Sequence, residues 1–169
     1  MSDDWITRTE TPADVPAVRA IVLAAFDTPM EADLVDALRT DEAWIEGLSV
    51  VAAGPDNTPV GHALLTRCHI GEVPALCLAP VAVLPEHQRT GAGAAAVRAA
   101  LRAAAELGER FVVVLGHSSY YPRFGFTRAS AHGISVTFDV PDEALMALAL
   151  DPEQALPGGP VRYAEPFGI

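Results

Sequence analysis

The stretch Val81-Ala82-Val83-Leu84-Pro85-Glu86-His87-Gln88-Arg89-Thr90-Gly91-Ala92-Gly93-Ala94 has the clearest chemical content in the chain. An apolar strand runs into a polar turn, and the turn opens a long helix. Gly91 and Gly93 remove side chains where a backbone must approach a ligand. The first amides of a helix have no intrahelical acceptor. With the helix dipole they form an anion site suited to a pyrophosphate. Arg89 adds positive charge beside it. A plain loop and helix cap has the same Gly-x-Gly spacing, so this stretch alone leaves both readings open. A P-loop needs Gly-Lys-Ser/Thr, which is absent. A Rossmann fingerprint tolerates Ala96 in third place but needs an early strand, and this stretch lies mid-chain after antiparallel hairpins.

A second element follows the strand Phe111–Leu115: Gly116-His117-Ser118-Ser119-Tyr120-Tyr121-Pro122-Arg123-Phe124-Gly125-Phe126. Together the two elements resemble the GNAT superfamily of N-acetyltransferases. Gln88-Arg89-Thr90-Gly91-Ala92-Gly93 matches its Q/R-x-x-G-x-G/A signature, and Tyr121-x-x-x-Gly125-Phe126 matches its Tyr-x-x-x-Gly-Phe signature. Leu78 to Pro85, Tyr120 to Phe126 and the late Val161-Arg162-Tyr163 are similar to the YhbS-like branch of predicted N-acetyltransferases, and the resemblance covers nearly the whole chain.

The resemblance implies a GNAT-type α/β (α+β) fold, with a mixed, mostly antiparallel sheet, a splayed central strand and helices on both faces. It implies acetyl-CoA as cosubstrate, lying in the splay. Main-chain groups around Val81, Ala82 and Val83 would pair with the pantetheine arm. The amides of Gln88, Arg89, Thr90, Gly91, Ala92, Gly93 and Ala94 would hold the pyrophosphate. Tyr121 would protonate the departing thiolate as general acid. The implied chemistry is direct attack of a neutral amine on the thioester, with no metal and no covalent enzyme intermediate. Three departures stand out. Thr90 replaces a frequent basic residue. The Asn that often follows the strand is displaced by a short Gly116–Ser119 loop. No carboxylate lies on Ala75 to Leu84, so the general base is open. That last departure keeps an alternative in play, a non-catalytic acyl-CoA-binding sensor or interaction module.

Other residues read more modestly. Glu31 opens a helix on the wall that borders the acceptor pocket in this family and could bind or deprotonate an ammonium. It equally suits a helix N-terminus. His62 and His69 lie seven apart in one strand, face opposite sides and read as structural. His87 and His117 read as surface residues, and Trp5 and Trp44 as packing residues. Cys68 and Cys77 lack the spacing of a zinc site and read as reduced core thiols.

The elements that must position these residues are legible from periodicity and punctuation. Trp5 to Arg8 predicts a short strand. Thr11-Pro12-Ala13-Asp14 predicts a helix start, with Val15, Val18, Ile21, Val22 and Ala25 on one stripe to about Phe26. A second helix spans Met30 to Arg39. Leu48 to Ala53 and Val60 to Ile70 predict a hairpin about Gly54-Pro55-Asp56-Asn57. Ala75 to Leu84 predicts a central strand, bulged or splayed at Pro80 because proline cannot donate to a ladder. Gly91 to Leu107 predicts an Ala-rich helix, Phe111 to Leu115 a buried strand and Tyr120 to Phe124 a short helix. Gly133 to Phe138 predicts a strand, Pro141 to Leu150 a solvated amphipathic helix and Val161 to Ala164 a last strand.

The 169 residues fit one domain, and half of them are hydrophobic, which argues against disorder. No apolar run reaches the ~20 residues a membrane-spanning helix needs. Met1 to Trp5 has no basic flank or apolar h-region, so a cytoplasmic protein is expected. The net charge is −11 and every basic residue is Arg. Such a balance opposes nucleic-acid binding, and it either simply keeps the protein soluble or favours cationic small molecules or basic peptides as partners; taken with the resemblance, it implies a cationic small-molecule or peptide amine as acceptor. Neither membrane nor nucleic-acid partners are expected, and the chain is read as a monomer or homodimer.

Overall fold

The computed structural model describes residues 5–169; the Met1–Asp4 stretch, read above for a leader, lies outside the described residues. The strands are β1 (Ile6–Thr9), β2 (Ser49–Ala53), β3 (Pro59–Ile70), β4 (Val73–Val83), β5 (Phe111–Leu115), β6 (Thr127–Arg128), β7 (Ile134–Ser135), β8 (Leu145–Ala149) and β9 (Gly159–Arg162). The helices are α1 (Val15–Ala25), α2 (Met30–Arg39) and α3 (Ala92–Glu106). Strands run in the order β1-β2-β3-β4-β5-β8-β6, and β9 pairs with both β3 and β7. Pairing is antiparallel except for β4 with β5 and β7 with β9. This is the mixed, mostly antiparallel sheet expected from the resemblance.

Side-chain alternation along the strands sorts the core onto two faces. Val50, Ala52, Ala63, Leu65, Leu76 and Leu78 meet the alanine stripe of α3, formed by Ala92, Ala96, Ala100 and Ala104. Small side chains let that helix lie close to the sheet, which brings its N-terminus to the end of β4. On the other face, Val51, Leu64 and Ala82 pack against Val18, Ile21 and Val22 of α1 and Val35 and Leu38 of α2. The start of α1 follows its predicted punctuation. Thr11 and Asp14 form a reciprocal cap across a single turn of 3₁₀ helix, Pro12–Asp14.

Proline has the predicted effect on β4. Ala63 faces Val81 while Leu65 faces Leu78, so the register slips by one residue about Pro80. The parallel pairing of β4 with β5 is confined to Leu76↔Val112 and Cys77↔Val113. From Leu78 onward β4 keeps its partner β3 but leaves β5.

Two expectations need correction. The predicted helix Pro141–Leu150 is a turn of 3₁₀ helix, Asp142–Ala144, followed by β8. Leu145 to Ala149 is rich in helix formers, but β5 needs an antiparallel partner, and all five of its residues find one there. Leu145, Met146 and Ala147 are buried, not solvated. The predicted strand Gly133–Phe138 shrinks to β7, because only Ile134 and Ser135 meet β9.

Beneath α1 and α2 lies a polar cluster. Arg39 makes a two-pronged ion pair with Glu10 and stacks over Trp44 at 5.1 Å. Ser49 Oγ donates to Glu10 Oε1 at 2.6 Å and lies 2.7 Å from His62 Nε2. The hydroxyl spends its one proton on Glu10, so His62 donates from Nε2 as a neutral ring. Burial, reinforced by the Arg39 charge, lowers the His62 pKa to about 3. His62 is therefore structural, as expected.

Candidate active site

The turn after β4 is fixed at several points. A 3₁₀ turn spans Pro85–His87, Arg89 sits in the left-handed region at φ 64°, and Gly91 caps α3 at φ 89°. The first helical bond of α3 runs from Ala95 N–H to Gly91 O at 2.9 Å, so the amides of Ala92, Gly93 and Ala94 have no intrahelical acceptor. The Thr90 hydroxyl donates to His87 O, and Gln88 Nε2 donates to Val83 O at 3.5 Å. Trp5 reaches in from before β1. Its indole N–H donates to Thr90 O at 2.9 Å and its ring meets His87 edge-on at 5.7 Å. At Gly93 there is little room for a side chain. A Cβ there would lie 3.0 Å from Val83 Cγ2 and 3.5 Å from the Tyr120 hydroxyl.

The divergence of β4 from β5 continues this turn as an opening. Val81 and Val83 are half-buried and packed beside α3, while Ala82 between them is buried against α1. Past Cys77 the β5-facing edge of β4 has no strand partner, which leaves main-chain groups for another extended group to pair with.

The Tyr121 segment closes the far side. After β5, Gly116 N–H donates to Ala144 O at 2.9 Å, and the amides of Tyr120 and Tyr121 both fold back on His117 O, at 3.0 and 3.3 Å. Tyr121–Phe124 forms a 3₁₀ turn ended by Gly125 at φ 100°. The Tyr121 ring lies on Gly116 so closely that a Cβ there would stand 2.4 Å from Tyr121 Cε2. Phe124 and Phe126 flank the ring at 6.1 and 6.0 Å. Burial, with a smaller contribution from Tyr120, pushes the Tyr121 phenol up to about 12. It is therefore a protonated donor throughout the neutral range.

The fold thus groups Val83, the Gln88–Ala94 turn and the Tyr120–Tyr121 pair. Glu31 lies elsewhere, in the first turn of α2 on the opposite face from α3. Its carboxylate accepts from Thr28 Oγ1 at 3.1 Å and makes no hydrogen bond to Tyr121. His117 is exposed, and His87 is half-buried against Trp5. Cys68 and Cys77 are free and buried, and burial pushes the Cys68 thiol up to about 12 and that of Cys77 well above its ordinary range. Sequence reasoning read Trp5 as packing and missed it as a brace of the turn, and it weighed Tyr120 only as an exchange for Tyr121, without placing its hydroxyl beside Gly93. The sole hint for Trp5 was that a half-buried indole needs an acceptor for its N–H. Among the described residues, no group of three His, Cys, Asp or Glu could hold a metal ion, and no helix is long and apolar enough to cross a membrane.

Comparison with known proteins gives this arrangement a family. The model of the acetyltransferase (GNAT) family matches residues 17–126, from α1 through Phe126. The uncharacterised N-acetyltransferase YjhQ of Escherichia coli (strain K12) is 35% identical over 162 residues, 91% of this chain and 89% of that protein. The crystal structure of YhbS from Escherichia coli in complex with CoA superposes with a TM-score of 0.90 at 26% identity, covering 98% of this chain and 92% of that one. A GNAT acetyltransferase from Brucella melitensis in complex with acetyl-CoA superposes with a TM-score of 0.78 at 30% identity, covering 96% and 97%. Motif, fold and relatives agree, and the chain belongs to the acetyltransferase (GNAT) family.

Proposed function

We propose that this acetyltransferase takes its acetyl group from acetyl-CoA and passes it to a primary amine by direct attack, in the opening between β4 and β5. The observation that carries the reading is the departure of β4 from β5 after Cys77, running straight into the glycine-spaced start of α3. The CoA and acetyl-CoA bound to the YhbS and Brucella proteins support the choice of donor. Val81 and Val83 offer main-chain groups to the pantetheine, held in line by buried Ala82. Gln88, Arg89, Thr90, Gly91, Ala92, Gly93 and Ala94 meet the pyrophosphate. The neutral amine adds to the thioester carbonyl, the C–S bond breaks, and Tyr121 protonates the thiolate. The proton lost by the amine leaves to water or to a base on the acceptor side.

The acceptor is cationic before it reacts. The −11 charge supports this, since a negative field raises the concentration of an ammonium near the protein, and Glu31, outside the group around Tyr121, adds to that field. Residues 1–169 act as one domain. The free thiols Cys68 and Cys77 favour the cytoplasm, where thiols stay reduced. Thiol release from acetyl-CoA with a panel of amines tests the reading. Release with a cationic amine, lost on replacing Gly93 with Leu in a folded variant, is the expected result. CoA binding with no release for any amine makes the chain a sensor.

A further inference from the structure

Five of the eleven arginines are tied to carboxylates: Arg8, Arg19, Arg39, Arg67 and Arg128. The other six have no carboxylate within 4.0 Å among the described residues, and of these Arg98, Arg110 and Arg123 lie over aromatic rings. The Arg98 guanidinium is 5.1 Å from the Phe124 ring centre, and that of Arg123 is 4.2 Å from the Tyr120 ring centre. Those two rings pack against each other at 5.4 Å. The two cations therefore bracket one aromatic pair.

Their position has a direction. Arg123 Nε donates to Tyr120 O at 2.7 Å, which fixes the guanidinium and leaves its terminal nitrogens with no protein acceptor among the described residues. The charges of both arginines act on the Tyr120 phenol, offsetting part of the rise that burial causes there. The Tyr120 hydroxyl in turn stands beside Gly93, in the first turn of α3. Two like charges that both act on one phenolic donor oppose each other and are offset by an anion placed between them. Guanidinium forks and a hydroxyl are the donors that suit a phosphate.

The ADP end of CoA has two anionic parts. The pyrophosphate is met by the free amides of α3 and by Arg89. The 3′-phosphate is left for another set of cations. We propose that Arg98, Arg123 and the Tyr120 hydroxyl form a subsite for the 3′-phosphate of CoA, through which the enzyme prefers CoA over dephospho-CoA. The inference rests on the reading that CoA binds at the start of α3.

The test compares acetyl-CoA with acetyl-dephospho-CoA, using the full chain and the variants Arg98→Gln, Arg123→Gln and both together. Arg110→Gln, in the connection between α3 and β5, is the control. Wild type should show a KM for acetyl-dephospho-CoA about tenfold higher, the size expected for losing one charge-assisted contact at an exposed site. In the double variant the KM for acetyl-CoA should rise to match, while that for acetyl-dephospho-CoA and kcat stay where they were. Equal KM values in wild type overturn the subsite and leave CoA binding standing. A rise for both cosubstrates in the double variant assigns the arginines to the pyrophosphate and also overturns it. Failure of wild type to bind either cosubstrate overturns the subsite together with the reading beneath it.

Discussion

The indole N–H of Trp5 donates to the main-chain oxygen of Thr90 at 2.9 Å, joining two residues 85 positions apart. The carbonyl it holds lies between left-handed Arg89 and the capping Gly91. Aiming the amides that follow requires this peptide to stay where it is, and the bond comes from outside the motif itself.

Trp5→Phe keeps an aromatic ring against His87 and removes the donor. A neutral hydrogen bond contributes roughly 0.5–1.5 kcal/mol. The KM for acetyl-CoA should therefore rise about three- to tenfold at unchanged kcat. Steady-state kinetics with acetyl-CoA varied checks this, and an unchanged KM reduces Trp5 to packing.

Gly116→Ala tests the seat of the Tyr121 ring. The new Cβ would stand 2.4 Å from Tyr121 Cε2, so the ring must move. A displacement of about an ångström at a reacting group can cost on the order of 100-fold in rate. A fall in kcat of ten- to 100-fold is expected, with CoA affinity by calorimetry near wild type. Loss of CoA binding instead would show that Gly116 serves the cofactor.

Tyr121→Phe removes only the hydroxyl. General acid catalysis contributes roughly 10²–10⁴-fold, so kcat should fall within that range while the KM for acetyl-CoA barely moves. Tyr120→Phe should do the reverse, raising that KM and sparing kcat. With its phenol pushed up to about 12, Tyr121 stays protonated. The rate should climb with pH as the amine loses its proton, then show no Tyr121-dependent decline below about pH 11. A descending limb near pH 8 or 9 that vanishes in Tyr121→Phe contradicts this.

His62 predicts an acid-sensitive fold. Its native pKa is lowered to about 3, against about 6.5 in an unfolded chain. Between these values the unfolded state takes up a proton that the native state refuses. Its contribution is fully present above about pH 6.5 and is lost as pH falls toward 3, by at most about 1.4 kcal/mol per pH unit. Asp14, whose carboxyl a hydrogen bond from Arg8 holds well below the usual range, adds its own loss only at lower pH. Urea unfolding at pH 7, 6 and 5 should show the decline in wild type and a flatter profile in His62→Gln. Parallel profiles remove His62 as the cause.

Local signals carried much of this fold. The limits of α2 follow from periodicity and those of β5 from an unbroken apolar run, and the slip at Pro80 follows from a missing N–H. What stayed hidden depends on distant partners. Leu145–Ala149 has the composition of a helix, and only the open side of β5 makes it a strand. β6 is two residues long, too short for any period to register. Spacing singled out Tyr121, but the direction of the neighbouring Tyr120 side chain depends on a 3₁₀ turn whose sequence does not orient it. The ring stacking of Arg98 and Arg123 was equally invisible, because an exposed arginine reads the same with or without an aromatic beneath it.

The burial of Cys68 and Cys77 has a practical consequence. Neither thiol is accessible or ionised in the native protein at neutral pH. A disulfide reagent added to a turnover mixture will therefore react with liberated CoA and leave the folded enzyme unlabelled. The same reagent in denaturant will titrate two equivalents per chain, so a single colour reaction measures product under one condition and the fraction of opened molecules under the other.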